Sequence, residues 1–222
     1  MSRQAWLGIE CYQKIVLQLS NKVFFWIIGL ACLVSFFSSF GSKLNLIEPI
    51  FFNKFLISFN QIQFYDFKTT YLIGNEWWRL ITPTFIHFSP THLIFNSLWI
   101  YILGREIEQV DGKIIFIFLI LFTSISSNYL QYSFSGPSLF GGLSGVVYGL
   151  LGYCFVSETF LKINKFSFPP AIYIFMFVWL LIGFTGFLDL LGFGQIANFA
   201  HLGGLLSGIL SGYIFSMYNK KT

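Results

Sequence analysis

Apolar residues in this chain gather into long runs separated by short polar segments, and six candidate helices follow, over about residues 23–40, 90–104, 113–132, 142–157, 171–191 and 198–217. Runs of this length suit a bilayer core roughly 30 Å thick, which a helix of about 20 apolar residues crosses. The second and fourth are short. At 1.5 Å per residue, about 15 residues rise only about 22 Å, so their ends are expected below the membrane surface, shielded by neighbouring protein. Between the first two runs lies the segment 41–89, whose apolar clusters are broken by Glu48, Pro49, Lys54, Asp66 and Lys68. It cannot span. Its mix of aromatic and charged residues suits a loop lying in the membrane interface, with Trp77 and Trp78 at headgroup level.

Composition sharpens this picture. Of 222 residues, 55% are apolar and 10% charged, and 30 are phenylalanine, which leaves too little polar surface to coat a soluble globule. The expected fold class is therefore all-α: a polytopic membrane protein with six transmembrane helices in one domain over 1–222. Residues 1–22 form a short N-terminal segment, and the first run lacks an A-x-A cleavage site, so it reads as a retained helix. Nine Lys and Arg (Arg3, Lys14, Lys22, Arg105, Lys113, Lys162, Lys165, Lys220 and Lys221) fall on one side of the predicted spans. The other side holds Lys43, Lys54, Lys68 and Arg79, all in the long loop, and the short connections 133–141 and 192–197 hold none. Short loops set orientation, so both termini are expected to be cytoplasmic.

The net charge of +4 is scattered rather than gathered into a stripe, which argues against nucleic acid. Cys11, Cys32 and Cys154 form no C-x-x-C pair, His87 and His92 are five apart with no H-E-x-x-H, and no nucleotide loop occurs. No metal and no cofactor is expected.

Polar side chains at membrane depth are costly unless paired, so each is a functional candidate. In Ser89-Pro90-Thr91-His92-Leu93-Ile94-Phe95-Asn96, Ser89 reads as an N-cap and Pro90 as the first helical residue. His92 and Asn96 then share one face of the first two turns. They serve either as hydrogen-bonding glue between helices or as paired donors in a site. In Gly141-Gly142-Leu143-Ser144-Gly145-Val146-Val147-Tyr148-Gly149 the upstream glycines suggest a loop entering the membrane and turning into a helix near Leu143. Ser144 then sits in the first turn, where free backbone N–H groups can stabilise an oxyanion, and Tyr148 shares its face. A serine beside glycine is also a common packing residue. The last run carries Gly204, Gly208 and Gly212 at every fourth position, and Gly145 and Gly149 answer them from the fourth run. If these faces pack together, His201 arrives beside Ser144 as its general base. Glu106, Glu108 and Asp111 lie at the far end of the second span, and Asp189 lies about 12 residues before His201, so the pattern gives a Ser and His dyad rather than a triad.

These residues resemble the rhomboid intramembrane serine proteases, most closely the bacterial six-helix GlpG type. The matching pieces are Trp78-Arg79, His87 through His92 to Asn96, Gly104-Arg105-Glu106-Ile107-Glu108, Ser135-Gly136-Pro137, Gly142 to Tyr148, and Ala200-His201 followed by spaced glycines. Together they cover roughly 75–217. The resemblance implies peptide-bond hydrolysis in or beside transmembrane segments of membrane protein substrates, in the bilayer of a bacterial inner membrane. Ser144 would be the nucleophile and His201 the general base. His92, Asn96 and the Ser144 backbone N–H would be oxyanion donors, and Tyr148 the aromatic support of His201. Trp78 and Arg79 look like structural residues of the first loop, which in this family is a partly helical hairpin, and His87 like either a residue that only helps hold that loop or a direct site residue. The fifth span and the 192–197 connection look like the gate for substrate entry. The first 75 residues match poorly. Gly149 stands where a relative may carry alanine, which implies a slightly looser helix.

Two competing readings make different demands on the sequence. A non-catalytic rhomboid-like protein that binds transmembrane helices is expected to lack Ser144 or His201, and both are present. A channel or transporter is expected to carry more intramembrane carboxylates or inverted repeats.

Overall fold

The computed structural model describes residues 22–59, 61–160, 162, 165–166, 168–187 and 196–219. Each of the six apolar runs forms a helix. Helix α1 spans Val23–Phe37. Helix α2 begins at Pro90–Trp99, passes through a π-helical turn at Ile100–Gly104 and continues over Arg105–Val110. Helix α3 is Gly112–Ser135, α4 is Ser144–Phe155 with a π-helical extension Val156–Phe160, α5 is Pro170–Gly183, and α6 is Asn198–Asn219. Two helices, Gly112–Ser135 and Asn198–Met217, are by themselves long and apolar enough to cross a membrane. The second helix outruns its short apolar run: it continues past Gly104 to Val110, or about 30 Å in all. The fifth stops at Gly183, before the expected residue 191, in a turn closed by the Phe184 and Thr185 N–H groups. Asp189, most of the 192–197 connection and the N-terminal 1–21 lie outside the described residues.

Local chemistry accounts for several helix ends. Ser89 is extended, its Oγ accepts the His92 N–H at 3.2 Å, and Pro90 fills the first helical position. Glu108 caps α1 from the far end of α2, its Oε2 accepting the Phe24 N–H at 3.1 Å. Gly136 closes α3 at φ +70°, a backbone that glycine adopts freely.

The first loop departs from all-α. Phe55–Ser58 (β1) and Gln61–Phe64 (β2) form an antiparallel hairpin, with Phe55 opposite Phe64 and Ile57 opposite Ile62. Alternation places Phe55, Ile57, Ile62 and Phe64 on one face, and Phe55 joins a cluster with Ile47, Phe51 and Ile86. Arg79 is only 2% exposed and ties the loop together. Its guanidinium donates to the Glu48 and Phe51 carbonyls, to Glu48 Oε1 at 3.0 Å and to Glu76 Oε2 at 2.5 Å. Lys54 completes the cluster on Glu76 at 3.1 Å. The Trp78 indole N–H donates to the Pro49 carbonyl at 3.0 Å while half its surface stays exposed.

Helix α6 packs along both α4 and α3. The contact is backbone to backbone: a Cβ on Gly204 would run into the Gly145 carbonyl, and one on Gly208 into the Gly149 carbonyl. Gly149 also faces Thr123, whose side chain a Cβ would overlap. Glycine at 149 is thus a requirement of close packing rather than a source of looseness. The main core cluster runs from Phe24 and Ala31 of α1 through Ile100, Leu103 and Phe116 to Val146, Leu150 and Tyr153 of α4.

Candidate active site

The glycine face sets the site. With α6 drawn against α4, His201 Nε2 and Ser144 Oγ stand 2.8 Å apart, although 57 residues separate them. Ser144 is the first residue of α4, following Gly142 at φ +118° and Leu143 as the N-cap. The first N–H groups of that helix therefore have no intrahelical acceptor. His201 is held from two sides. The Tyr148 ring stacks on it with centroids 4.7 Å apart, and the Tyr148 hydroxyl donates to the Met176 carbonyl of α5 at 3.1 Å. One residue before it, the Ala200 N–H donates to Gln131 Oε1 at 3.1 Å, fixing the start of α6 to α3.

A cavity of about 420 Å³ opens in front of this pair, lined by residues of α2, α4, α5 and α6 together with Leu139, Phe140 and Gly141. His92 and Asn96 both line it. Asn96 is buried, and its Nδ2 has no hydrogen-bond partner. A buried amide donor without an acceptor costs about 1–3 kcal/mol, and it is available to a ligand oxygen. Gly142 gives these two side chains their space: a Cβ there would stand 2.8 Å from His92 Nε2 and 3.5 Å from Asn96 Nδ2. Phe95 and Trp179 stack between α2 and α5 beside the cavity, with centroids 5.9 Å apart.

The structure thus brings Ser144, His201, Tyr148, His92 and Asn96 to one cavity and leaves Trp78 and Arg79 outside it, in the loop scaffold. Among the described residues no carboxylate bonds His201. Glu108 is committed to Phe24, and Asp111 accepts the Tyr153 hydroxyl at 2.9 Å and pairs with Lys165. Two residues stand closer to the site than the sequence indicated. Gln131 was marked by a polar stripe, Thr123, Ser127 and Gln131, at every fourth position of an apolar run. His87, fully buried, touches His92 with ring centroids 4.9 Å apart and accepts the Leu143 N–H on Nε2.

The model of the Rhomboid domain family matches residues 74–218. This chain belongs to the rhomboid family. It is 36% identical over 149 residues to the rhomboid protease GlpG of Haemophilus influenzae, across 67% of this chain and 74% of that one. It is 39% identical over 136 residues to the protein of the same name from Serratia proteamaculans, and 34% identical over 146 residues to that of Klebsiella pneumoniae. Those two matches span 47% and 51% of the relatives' own lengths, so about half of each is covered. As a rhomboid the chain is an integral membrane protein, and Ser144 and His201 both lie inside the matched stretch.

Proposed function

We propose that this rhomboid is an intramembrane serine protease that cuts transmembrane protein substrates with a Ser144 and His201 dyad. The observation that carries the reading is the 2.8 Å Ser144 Oγ to His201 Nε2 contact at the wall of a cavity that also holds an unpartnered amide donor. His201 Nε2 takes the Ser144 hydroxyl proton as Oγ attacks the scissile carbonyl carbon. The resulting oxyanion is met by Asn96 Nδ2, the His92 ring and the Ser144 backbone N–H. His201 then passes its proton to the leaving amine as the C–N bond breaks, leaving an acyl ester on Ser144. A water molecule, deprotonated by the same ring, hydrolyses that ester and restores the hydroxyl. Tyr148 keeps the imidazole plane fixed through both transfers.

In this reading the chain is one membrane domain over 1–222. Six helices cross the bilayer, both termini are cytoplasmic, the loop 41–89 lies in the interface, and the membrane is a bacterial inner membrane. The cavity opens to the outer side, where hydrolytic water enters. Helix α5 is the side through which a substrate segment arrives. The name shared by the relatives supports the activity, and the charge distribution of the short connections supports the orientation. Purified protein in detergent, incubated with a reporter carrying a transmembrane segment, is expected to release a cleaved product. The Ser144→Ala protein is expected to release none, and equal cleavage by both would refute the assignment.

A further inference from the structure

Next to the cavity-lining His92 stands a third imidazole, itself outside the lining, that the dyad and the oxyanion donors do not use. His87 has no exposed surface and sits between the end of the first loop and the start of α4. Its Nδ1 lies 3.2 Å from the Phe85 carbonyl oxygen, and its Nε2 lies 3.4 Å from the Leu143 backbone N–H. A carbonyl only accepts, so Nδ1 carries the ring proton. A backbone N–H only donates, so Nε2 holds the free lone pair. The two contacts together select one neutral tautomer. A ring with the other tautomer, or with both nitrogens protonated, would put an N–H against the Leu143 N–H.

Leu143 immediately precedes Ser144 and is the N-cap of α4. Anchoring its N–H fixes the Gly142–Leu143 peptide plane, and with Leu143 at φ −69° and ψ −6° that plane sets the direction of the next N–H, that of Ser144. The peptide before it is anchored too, because the Gly142 N–H donates to the Pro83 carbonyl at 3.1 Å. The His87 ring also packs at a steep angle against the His92 ring, with centroids 4.9 Å apart. One side chain therefore touches both sides of the oxyanion pocket, the backbone of the nucleophile turn and the ring of a proposed side-chain donor.

We infer that His87 is a positioning residue for the reaction, an acceptor held in the Nδ1–H tautomer that aligns the Ser144 N–H and the His92 ring for the oxyanion. This rests on the protease reading above. Its role is to orient groups that act only as the transition state forms, so its loss falls on kcat rather than on substrate binding.

Two variants separate this role from simple packing. His87→Leu fills the space but offers no acceptor. In His87→Gln, the side-chain amide reaches the Nε2 position and its oxygen can accept the Leu143 N–H. With the full chain in detergent and a transmembrane reporter substrate, His87→Leu is expected to lower kcat at least tenfold with KM within about twofold. His87→Gln is expected to recover most of kcat at the same thermal stability as His87→Leu. Nitrogen-15 NMR of the labelled histidine ring is expected to show Nδ1 protonated and Nε2 bare in the unsubstituted protein. An unchanged kcat in His87→Leu, no recovery in His87→Gln, or a ring protonated at Nε2 would each overturn the inference while leaving the dyad standing. An unsubstituted protein that neither cuts nor reacts at Ser144 would overturn both.

Discussion

Gly204 lies against the carbonyl oxygen of Gly145 so closely that a methyl group has no room between α6 and α4. One turn on, Gly208 meets Gly149 in the same way. This approach brings His201 to Ser144, so helix packing and the geometry of the proposed dyad are one relationship. Gly204→Ala or Gly208→Ala is expected to cost on the order of 1–3 kcal/mol of stability, by overpacking. Each is also expected to lose activity even where the protein stays folded, because the base moves off the nucleophile. Gly29→Ala is the control: its Cβ meets nothing within 4 Å, so the variant is expected to be unchanged or more stable by up to about 1 kcal/mol. Thermal unfolding in detergent, beside activity per folded molecule, checks both halves.

Asn96 makes no side-chain bond from Nδ2 in the resting protein, so removing that amide should leave the fold intact. Asn96→Ala is expected to lower kcat by on the order of 100-fold, with little change in the unfolding midpoint, as for the loss of one oxyanion donor. Steady-state kinetics on a transmembrane reporter measures this, and an unaltered kcat would remove Asn96 from the pocket's chemistry.

The first loop carries a separate, acid-sensitive element. Burial pushes the Glu76 carboxyl upward, but hydrogen bonds from Arg79 and Lys54 outweigh it and hold the group below its ordinary value of 4.5. A folded pKa below the unfolded one gives stability that is present above about pH 4.5 and lost as pH falls through the lower folded value. Amide exchange of residues 76–80, corrected for its intrinsic pH dependence, is expected to accelerate over that acid range. In Glu76→Gln it is expected to be faster already at neutral pH, and flatter with acid. Equal pH dependence in the two proteins would contradict the assignment.

Arg79→Ala is expected to be more damaging than either change at Glu76, by about 3–5 kcal/mol. It strips Glu48 of its cation, leaves Glu76 with Lys54 alone, and leaves the Glu48 and Phe51 carbonyls without their donor. Denaturant unfolding followed by tryptophan fluorescence checks this.

Much of the site was legible in the sequence because its parts lie on helices with a fixed period. Ser89-Pro90 announced where α2 begins, and that start placed His92 and Asn96 on one face. The every-fourth glycines announced which helices touch, and that contact carried His201 across 57 residues to Ser144. The parts that were not legible depend on contacts between irregular segments. His87 has no periodic partner, and its value comes from where the Gly142–Leu143 turn ends up. The hairpin at Phe55–Ser58 and Gln61–Phe64 was present as a short alternation of apolar and polar positions, but each strand has only four residues inside an aromatic loop, too few to distinguish from scattered anchors. The full length of α2 is hidden in the sequence because Arg105, Glu106 and Glu108 end the apolar run, whereas the helix itself continues and uses Glu108 to cap α1.

The central claim is that Ser144 is a nucleophile activated by His201. Its most direct test is labelling of the detergent-solubilised protein with a fluorophosphonate, in which phosphorus takes the place of the scissile carbonyl carbon and forms a stable bond to Oγ. The unsubstituted protein is expected to acquire one label, mapped to Ser144 by mass spectrometry, and Ser144→Ala and His201→Ala are expected to acquire none. Label on another residue, or undiminished labelling in the His201→Ala protein, would contradict the account.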